Sequence, residues 1–303
     1  MSLAARAKAP FLRRVHLQDQ TDPETEEPTD ETAETVAGFD VDEFPAWYQD
    51  NLKEEPDVDN EAESDAREGD DDSSVDAGAY VFDLEAVKTL EDLKFGQVTV
   101  LAGDNGSGKS TIVEALAIAA GFNPEGGSRN LMFATHDTHS PLADSLTLEW
   151  SSRPKWGWFL RAETFYGMAS HIAEDEWLAP SFPDFHARSH GESFLELAAH
   201  RFTGKGLYLF DEPESALSIQ GQAALLSIMA DSLSKGSQCI IATHSPIFMA
   251  IPGAAVYEVS KEQGLTPTNF DDLASTVLWR RFFTDPDQFF HHAADDKDGN
   301  GHT

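Results

Sequence analysis

The stretch of sequence that decides the fold is a glycine-rich loop, and it reads Gly103-Asp104-Asn105-Gly106-Ser107-Gly108-Lys109-Ser110-Thr111. The apolar, β-branched run Gln97–Ala102 precedes the loop and predicts a buried strand. The Ala- and Leu-rich segment Ile112–Ala120 follows it and predicts a helix that ends at Gly121. A strand, a glycine loop and a helix in this order are typical of a phosphate-binding loop, or P-loop.

The residue types in this loop are suited to binding a nucleoside triphosphate. Glycine allows backbone N–H groups to turn inward onto phosphate oxygens, because it adopts φ/ψ values that other residues resist. Lys109 is placed to reach the β- and γ-phosphates, and the Ser110 hydroxyl to bind Mg²⁺. The positive N-terminus of the following helix adds a favourable field. We therefore expect residues 103–111 to hold ATP and Mg²⁺, with Lys109 also acting in catalysis.

Two acidic residues follow another buried strand about a hundred residues later. The apolar run Leu207–Phe210 leads directly into Asp211 and Glu212. Ligands of α/β sheets bind beyond the carboxyl ends of the strands, where both carboxylates are placed. We expect Asp211 to bind Mg²⁺, directly or through another ligand of the ion, and Glu212 to hold the attacking water. The alternative is a pair of solvated loop acids.

A histidine occupies a similar position after a further apolar strand. The run Gln238–Ala242 is followed by Thr243-His244-Ser245-Pro246. An imidazole at a strand end can hydrogen-bond the γ-phosphate or the attacking water, so His244 is a third catalytic candidate. Taken alone, His244 would be an ordinary surface histidine.

Together with Ser189-His190-Gly191-Glu192 at the start of a predicted helix, these motifs resemble the ABC-type ATPases. The closest likeness is to small stand-alone bacterial members described as AAA-family or predicted ATPases. The resemblance rests on the order of the motifs, which are a P-loop, a signature segment, Asp-Glu-Pro, a short D-loop and a switch histidine. It covers most of residues 80–290 and implies a P-loop NTPase fold with a short helical subdomain.

The resemblance implies a composite nucleotide site in a homodimer. Ser189, Gly191 and Glu192 would complete the site of the second copy, because the signature helix N-terminus approaches the γ-phosphate across the dimer interface. Residues 215–217 would form the D-loop. Glu163 falls about where the family has a glutamine that senses Mg²⁺ and the γ-phosphate, so it is a further metal candidate.

Two residues depart from the family pattern. Glu163 replaces the glutamine, and His190 replaces the first glycine of the signature. Both are either features of a subfamily or changes that weaken phosphate contact and turnover. Upstream of the P-loop, Tyr80 or Phe82 could stack on adenine, although core packing is the more ordinary role for either.

The overall pattern predicts an α/β fold, because continuous apolar strands alternate with helices and such strands form a mostly parallel sheet covered on both faces. Leu146–Trp150 and Trp156–Ala162 flank a connection that suits a hairpin, so we expect a small antiparallel layer beside the main sheet. Further strands and helices are predicted at Phe11–Leu17, Leu84–Leu93, Ser193–His200, Ile219–Leu233, Ala255–Val259 and Asp272–Phe283.

The net charge of −33 belongs mostly to one segment. Residues 18–78 contain 24 of the 54 acidic residues but only Lys53 and Arg67 of the 21 basic ones, so this segment carries −22 and the rest −11. With few aliphatic residues to bury, it is expected to stay disordered. Within it, Phe39–Leu52 places aromatic residues among acids and is either a docking element for a partner or a marginal helix.

The chain therefore divides into four parts, which are an N-terminal segment with the first strand (1–17), the acidic insert (18–78), the ATPase domain (79–290) and a polar tail (291–303). The N-terminus lacks an apolar leader region, and no run approaches ~18 apolar residues. We expect a cytoplasmic protein without a membrane span, in which Cys239 is a buried, reduced thiol.

Three functions are compatible with these motifs. The favoured one is an Mg²⁺-dependent ATPase that dimerises on ATP and switches an unknown protein partner, for which the acidic insert is a candidate contact. The first alternative is the nucleotide-binding subunit of a membrane transporter, although the stretch between Glu163 and Ser189 leaves little room for a helical subdomain that grips a membrane partner. The second is a DNA-repair or defence ATPase, but the negative charge opposes direct nucleic-acid binding.

Two weaker metal candidates have suitable ligand types. His136, Asp137 and His139 lie in a stretch that resembles a loop of the family, and His291-His292 with Asp295-Asp296 lie in the polar tail.

Overall fold

A computed structural model describes residues 10–18, 80–129, 141–174, 189–202 and 204–287. The chain separates into two units, one formed by residues 1–18 and 75–303 and the other by residues 19–74. The second unit, the weaker metal candidates and the polar tail lie outside the described residues, as does nearly all of the acidic insert.

A six-stranded sheet forms the centre of the first unit. Its strands are β2 (Val98–Gly103), β4 (Trp156–Arg161), β5 (Gly206–Asp211), β6 (Gln238–Thr243), β7 (Ala255–Ser260) and β8 (Gly264–Thr268). They lie in the order β4-β5-β6-β2-β7-β8, and every neighbouring pair is parallel except β7 and β8. The mostly parallel α/β fold is thus confirmed, while β8 was not predicted.

Helices cover both faces of this sheet. Those among the described residues include α1 (Glu85–Lys88), α2 (Lys109–Ala119), α3 (Phe165–Glu174), α4 (His190–Arg201), α5 (Ile219–Lys235), α6 (Pro246–Met249) and α7 (Ala274–Thr284). On one face, Val100 packs with side chains of α4 and α5. On the other, the adjacent Leu101 packs with α2. Successive strand residues point to opposite faces, so two cores require continuously apolar strands.

The prediction that Leu146–Trp150 and Trp156–Ala162 pair as a hairpin is wrong. Strand β3 (Leu146–Trp150) instead pairs antiparallel with β1 (Leu12–Leu17), and these two form the small antiparallel layer. Strand β4 lies at the edge of the main sheet, parallel to β5. Burial explains the difference, because Trp158, Phe159 and Leu160 are all buried, as in a sheet covered on both faces, whereas burial in β3 alternates.

Gln238 attaches β1 to the main sheet from inside the core. Its side-chain amide donates to Leu12 O at 2.9 Å and to Gly96 O at 3.0 Å, and its Oε1 accepts from Leu12 N at 2.9 Å. Buried backbone groups need such partners, because an unpaired group keeps its desolvation cost. One fully buried side chain therefore provides hydrogen-bond partners for three backbone groups.

We expect Gln238→Ala to lower the free energy of unfolding by about 3 kcal/mol, because it leaves these buried backbone groups unpaired. Urea denaturation followed by circular dichroism measures the change. Gln263→Ala, at an exposed position of the turn between β7 and β8, is the matched control and is expected to change stability little. Equal stability of the two variants would contradict this role for Gln238.

The described part of the chain contains no helix that is both long and apolar enough to cross a membrane.

Candidate functional site

The P-loop connects β2 to α2 and has the backbone geometry that its glycines permit. Gly108, directly before α2, has a left-handed conformation with φ of 100°. A Cβ atom on Gly103 would lie 2.1 Å from Val259 O on the neighbouring strand, so no larger residue fits there. These two positions fix the entry and exit of the loop.

Lys109 lies inside this loop. Its Nζ donates a hydrogen bond to Asp104 O at 2.9 Å, and only 3% of the residue is exposed. Burial lowers the pKa of Lys109, while the nearby Glu212 and Asp211 carboxylates favour its charged form. A phosphate group beside this amine would likewise favour the charged form, so the loop is suited to an anionic ligand.

Asp211 ends β5 as a buried carboxylate. Burial is the main cause that raises its pKa from 3.8 to about 6, and Glu212 and Glu114 raise it further. A hydrogen bond from Ser110 and the charge of Arg161 act in the opposite direction. The P-loop serine and the carboxylate at the end of β5 are therefore hydrogen-bonded to each other.

The arrangement of Asp211 fits a divalent cation. Its Oδ1 is buried, and none of the described residues offers that atom a hydrogen-bond partner. Ser107 Oγ in the P-loop is also buried, and none of the described residues offers it a hydrogen-bond partner. A carboxylate and a hydroxyl are ligand types that Mg²⁺ prefers, and an unpaired hydroxyl facing into a phosphate loop suits a phosphate oxygen.

Arg161 lines this site and was not predicted from the sequence. Its guanidinium lies 2.9 Å from Glu114 Oε2, 3.4 Å from Asp211 Oδ2 and 3.6 Å from Glu163 Oε2. Arg161 lies directly opposite Asp211 in the parallel pairing of β4 with β5. The residue is recognisable only once the strand order is known, because the sequence predicted a different partner for β4.

Glu212 and His244 are brought together at the ends of neighbouring strands. His244 Nε2 lies 2.9 Å from Glu212 Oε1, and both side chains are about one-third exposed. Glu212 has a φ of 47°, which makes it the non-glycine residue with positive φ among those described. Its backbone is held there by two hydrogen bonds, Glu212 N to Ala242 O and Ser215 N to Glu212 O, each 3.0 Å long.

An open cavity of about 460 Å³ lies in front of these groups. It is lined by Ser110, Arg161, Ala162, Glu163, Asp211, Glu212 and Ser215. Glu163 lies at its rim with a side chain that is 82% exposed. Three of the predicted catalytic and metal-binding carboxylates therefore face one space beside the P-loop.

The signature residues do not line this cavity. Ser189 caps α4 and forms a reciprocal pair with Glu192, in which Ser189 N donates to Glu192 Oε2 at 3.0 Å and Glu192 N donates to Ser189 Oγ at 3.4 Å. His190 stacks on Tyr166 at a ring distance of 4.6 Å. A Cβ on Gly191 would lie 3.1 Å from Ala216 O. Within one chain, this segment packs on the turn after Glu212 instead of on the P-loop.

The adenine-stacking candidates differ in environment. Tyr80 is 64% exposed, whereas Phe82 packs against the core beside α2.

The described residues contain no group of three or more His, Cys, Asp or Glu side chains arranged as a metal site of their own. Cys239 is fully buried, and burial raises the pKa of its thiol far above the usual range, as expected for a structural cysteine.

Two family models match parts of the chain. One is described as an AAA domain and matches residues 84–145. The other is described as "AAA domain, putative AbiEii toxin, Type IV TA system" and matches residues 193–250. The first range includes the P-loop, and the second includes the strands that end at Asp211 and Thr243.

Two curated proteins and a solved structure are also similar to this chain. The Cytochrome c biogenesis ATP-binding export protein CcmA of Rhodopseudomonas palustris (strain BisB5) is 30% identical over 163 residues, covering 51% of this chain and 82% of that protein. ABC transporter I family member 1 of Arabidopsis thaliana is 32% identical over 169 residues, covering 50% and 72%. The solved structure of cbiO1 from Clostridium perfringens, part of the ABC transporter complex cbiONQ, is 16% identical with a TM-score of 0.38, covering 67% and 89%.

The buried Asp211 carboxyl group makes the stability of the ligand-free protein pH-dependent. Because the fold raises its pKa from 3.8 to about 6, the protonated form is favoured in the folded state, and stability is lost as pH rises from 3.8 through about 6. An asparagine side chain at this position cannot ionise. With divalent ions chelated, we expect Asp211→Asn to match the wild type at pH 4 and to exceed its stability by about 3 kcal/mol at pH 8.

Chemical denaturation at both pH values measures this difference. Asp287→Asn, at an exposed position after α7, is the control and is expected to show no such pH dependence. A stability gain for Asp211→Asn that is equal at pH 4 and pH 8 would show that ionisation of this carboxyl group is not its cause.

Proposed function

We propose that the chain, which belongs to the ABC-type ATP-binding proteins, is an Mg²⁺-dependent ATPase. It would close as a homodimer on ATP and thereby switch a protein partner in the cytoplasm. One observation carries the proposal. A buried, incompletely paired carboxylate, Asp211, hydrogen-bonds the P-loop Ser110, and the adjacent Glu212 is paired with His244. Metal-binding and water-positioning groups therefore share one edge of the sheet.

Nucleotide binding is assigned to the P-loop. The backbone N–H groups of residues 103–111 and the positive end of α2 would surround the phosphates, and the Lys109 amine would contact the β- and γ-phosphates. Lys109 is pre-positioned by its hydrogen bond to Asp104 O, so little side-chain freedom is lost when phosphate binds.

Ser110 and Asp211 are the residues that would hold Mg²⁺, and Glu163 at the rim is a further candidate. A bound Mg²⁺ would neutralise charge that develops on the phosphate oxygens. Arg161 pairs with Asp211 and Glu163, so its guanidinium is placed to keep both carboxylates oriented towards the cavity.

Glu212 is proposed to orient the attacking water, and His244 to orient Glu212. The 2.9 Å contact between the two side chains limits the rotation of the carboxylate. Their partial exposure leaves room for water beside the cavity. In phosphoryl transfer, most of the catalytic effect comes from such positioning and from charge stabilisation.

The dimer is proposed because the signature residues of one chain do not line its own cavity. Ser189, Gly191 and Glu192 lie away from the cavity, so in this proposal they would reach the nucleotide of a second copy. Ile219, two residues after the D-loop segment, is 70% exposed, and a large apolar side chain at that point suits an interface. Residues 79–290 would form this ATPase domain, and the acidic segment 18–78 would contact the protein partner.

We expect Glu212→Gln to bind ATP, to hydrolyse it at least about a hundredfold more slowly, and to accumulate as a dimer, because the water is no longer oriented and the closed state persists. Size-exclusion chromatography with light scattering, with and without ATP and Mg²⁺, measures the dimer. Lys109→Ala, which removes the phosphate contact, should remain monomeric under the same conditions. A Glu212→Gln protein that stays monomeric and hydrolyses ATP at the wild-type rate would refute the proposal.

A transporter subunit is the second candidate, and the names of the similar proteins favour it. CcmA is named an ATP-binding export protein, and the Arabidopsis relative an ABC transporter. Coexpression with a candidate permease followed by membrane fractionation separates the two functions. For the favoured one, we expect the chain to be absent from the membrane fraction with or without the permease. Enrichment that depends on the permease would establish the transporter subunit instead.

A further inference from the structure

A short turn directly after Glu212 carries another carboxylate that the proposed mechanism does not yet use. Residues Pro213–Ala216 form a 3₁₀ turn between β5 and α5. Glu214 in this turn directs Oε1 at the loop that follows β6. That one oxygen accepts hydrogen bonds from Thr243 Oγ1 at 2.8 Å, from Ser245 N at 3.1 Å and from His244 N.

These three hydrogen bonds converge on one acceptor atom, Oε1 of Glu214. Each donor needs an acceptor, and this single side-chain oxygen serves all three. The other oxygen of Glu214 is buried, and no described residue donates to it. Water therefore does not compete for the side chain from that direction, and the interaction is stronger than an exposed one.

The loop held by Glu214 is the one that carries the switch histidine. Ser245 N also donates to Thr243 Oγ1 at 2.9 Å, and Ser245 Oγ lies 2.6 Å from Gln222 Oε1 on α5. The backbone of residues 243–245 is thereby fixed on both sides of His244. The imidazole is then held by Glu212, the second residue before Glu214 in the sequence.

We infer that Glu214 is a positioning residue for ATP hydrolysis, which holds the His244 backbone so that the imidazole can orient Glu212. Two carboxylates from one segment thus fix the same histidine, Glu214 through the backbone and Glu212 through the ring. Glu212 itself has a left-handed backbone conformation that persists only where its surroundings impose it. The turn that contains Glu214 supplies part of that constraint, through the hydrogen bond from Ser215 N to Glu212 O.

The same contacts would also arise if Glu214 only stabilised the fold. In that case its removal would lower the melting temperature without a specific effect on turnover, and its effect would be independent of His244. If Glu214 instead positions His244, the effects of the two substitutions on turnover are coupled, because holding the loop has no catalytic effect once the imidazole is removed. A double-mutant cycle separates the two roles.

The test rests on the proposed function and compares ATP turnover of the wild type, Glu214→Ala, His244→Ala and the double variant. We expect Glu214→Ala to lower kcat about tenfold with KM for ATP changed less than about twofold, and the double variant to be no slower than His244→Ala. Glu214→Gln retains an acceptor oxygen and is expected to recover most of the lost kcat. Glu149→Ala, at an exposed site on β3, is the matched control for loss of a glutamate.

The outcomes distinguish failure of this inference from failure of the function on which it rests. If His244→Ala slows turnover but Glu214→Ala does not, or if the two effects multiply in the double variant, Glu214 does not act through His244 and the inference is overturned. If His244→Ala leaves kcat unchanged, the catalytic role of His244 is wrong as well. Should Glu214→Ala fail to fold, Glu214→Asp, which keeps the charge and shortens the side chain, takes its place in the cycle.

Discussion

Burial of the Asp211 carboxyl group is the constraint on which the site depends. A carboxylate removed from water favours its neutral form, which is why its pKa rises to about 6. The fold compensates this only partly, through the Ser110 hydroxyl and the Arg161 guanidinium, and one carboxylate oxygen keeps no partner among the described residues. A divalent cation at this point would supply the missing positive charge, and this is why we propose Asp211 as a metal ligand.

The order of the strands brings the other groups to this carboxylate. Strands β5, β6 and β2 are neighbours and parallel, so their carboxyl ends lie at one edge of the sheet. Asp211 and Glu212 follow β5, His244 follows β6, and the P-loop follows β2. Segments that are more than a hundred residues apart in the sequence thereby meet in one place. This is the general reason why parallel sheets bind ligands beyond the carboxyl ends of their strands.

Much of this arrangement could be predicted from local sequence. The P-loop is a continuous segment, and β5 and β6 are apolar runs that stop at polar residues, so both kinds of signal are short-range. The contributions of Arg161 and Glu214 could not be predicted, because each depends on which strand or loop lies beside it. The hairpin error has the same origin. Strands β3 and β4 were correctly located, but their partners β1 and β5 are distant in the sequence, and a nearby strand was the simpler choice.

Equilibrium dialysis of ATP against the purified protein, with Mg²⁺ present or chelated, tests the central claim most directly. We expect the wild type to bind one ATP per chain, more tightly with Mg²⁺ than without it. Asp211→Asn should lose that dependence on Mg²⁺, and Lys109→Ala should lose most of the binding while remaining folded. Binding by Asp211→Asn that is strengthened by Mg²⁺ as much as in the wild type would contradict the assignment of the buried carboxylate as the metal ligand.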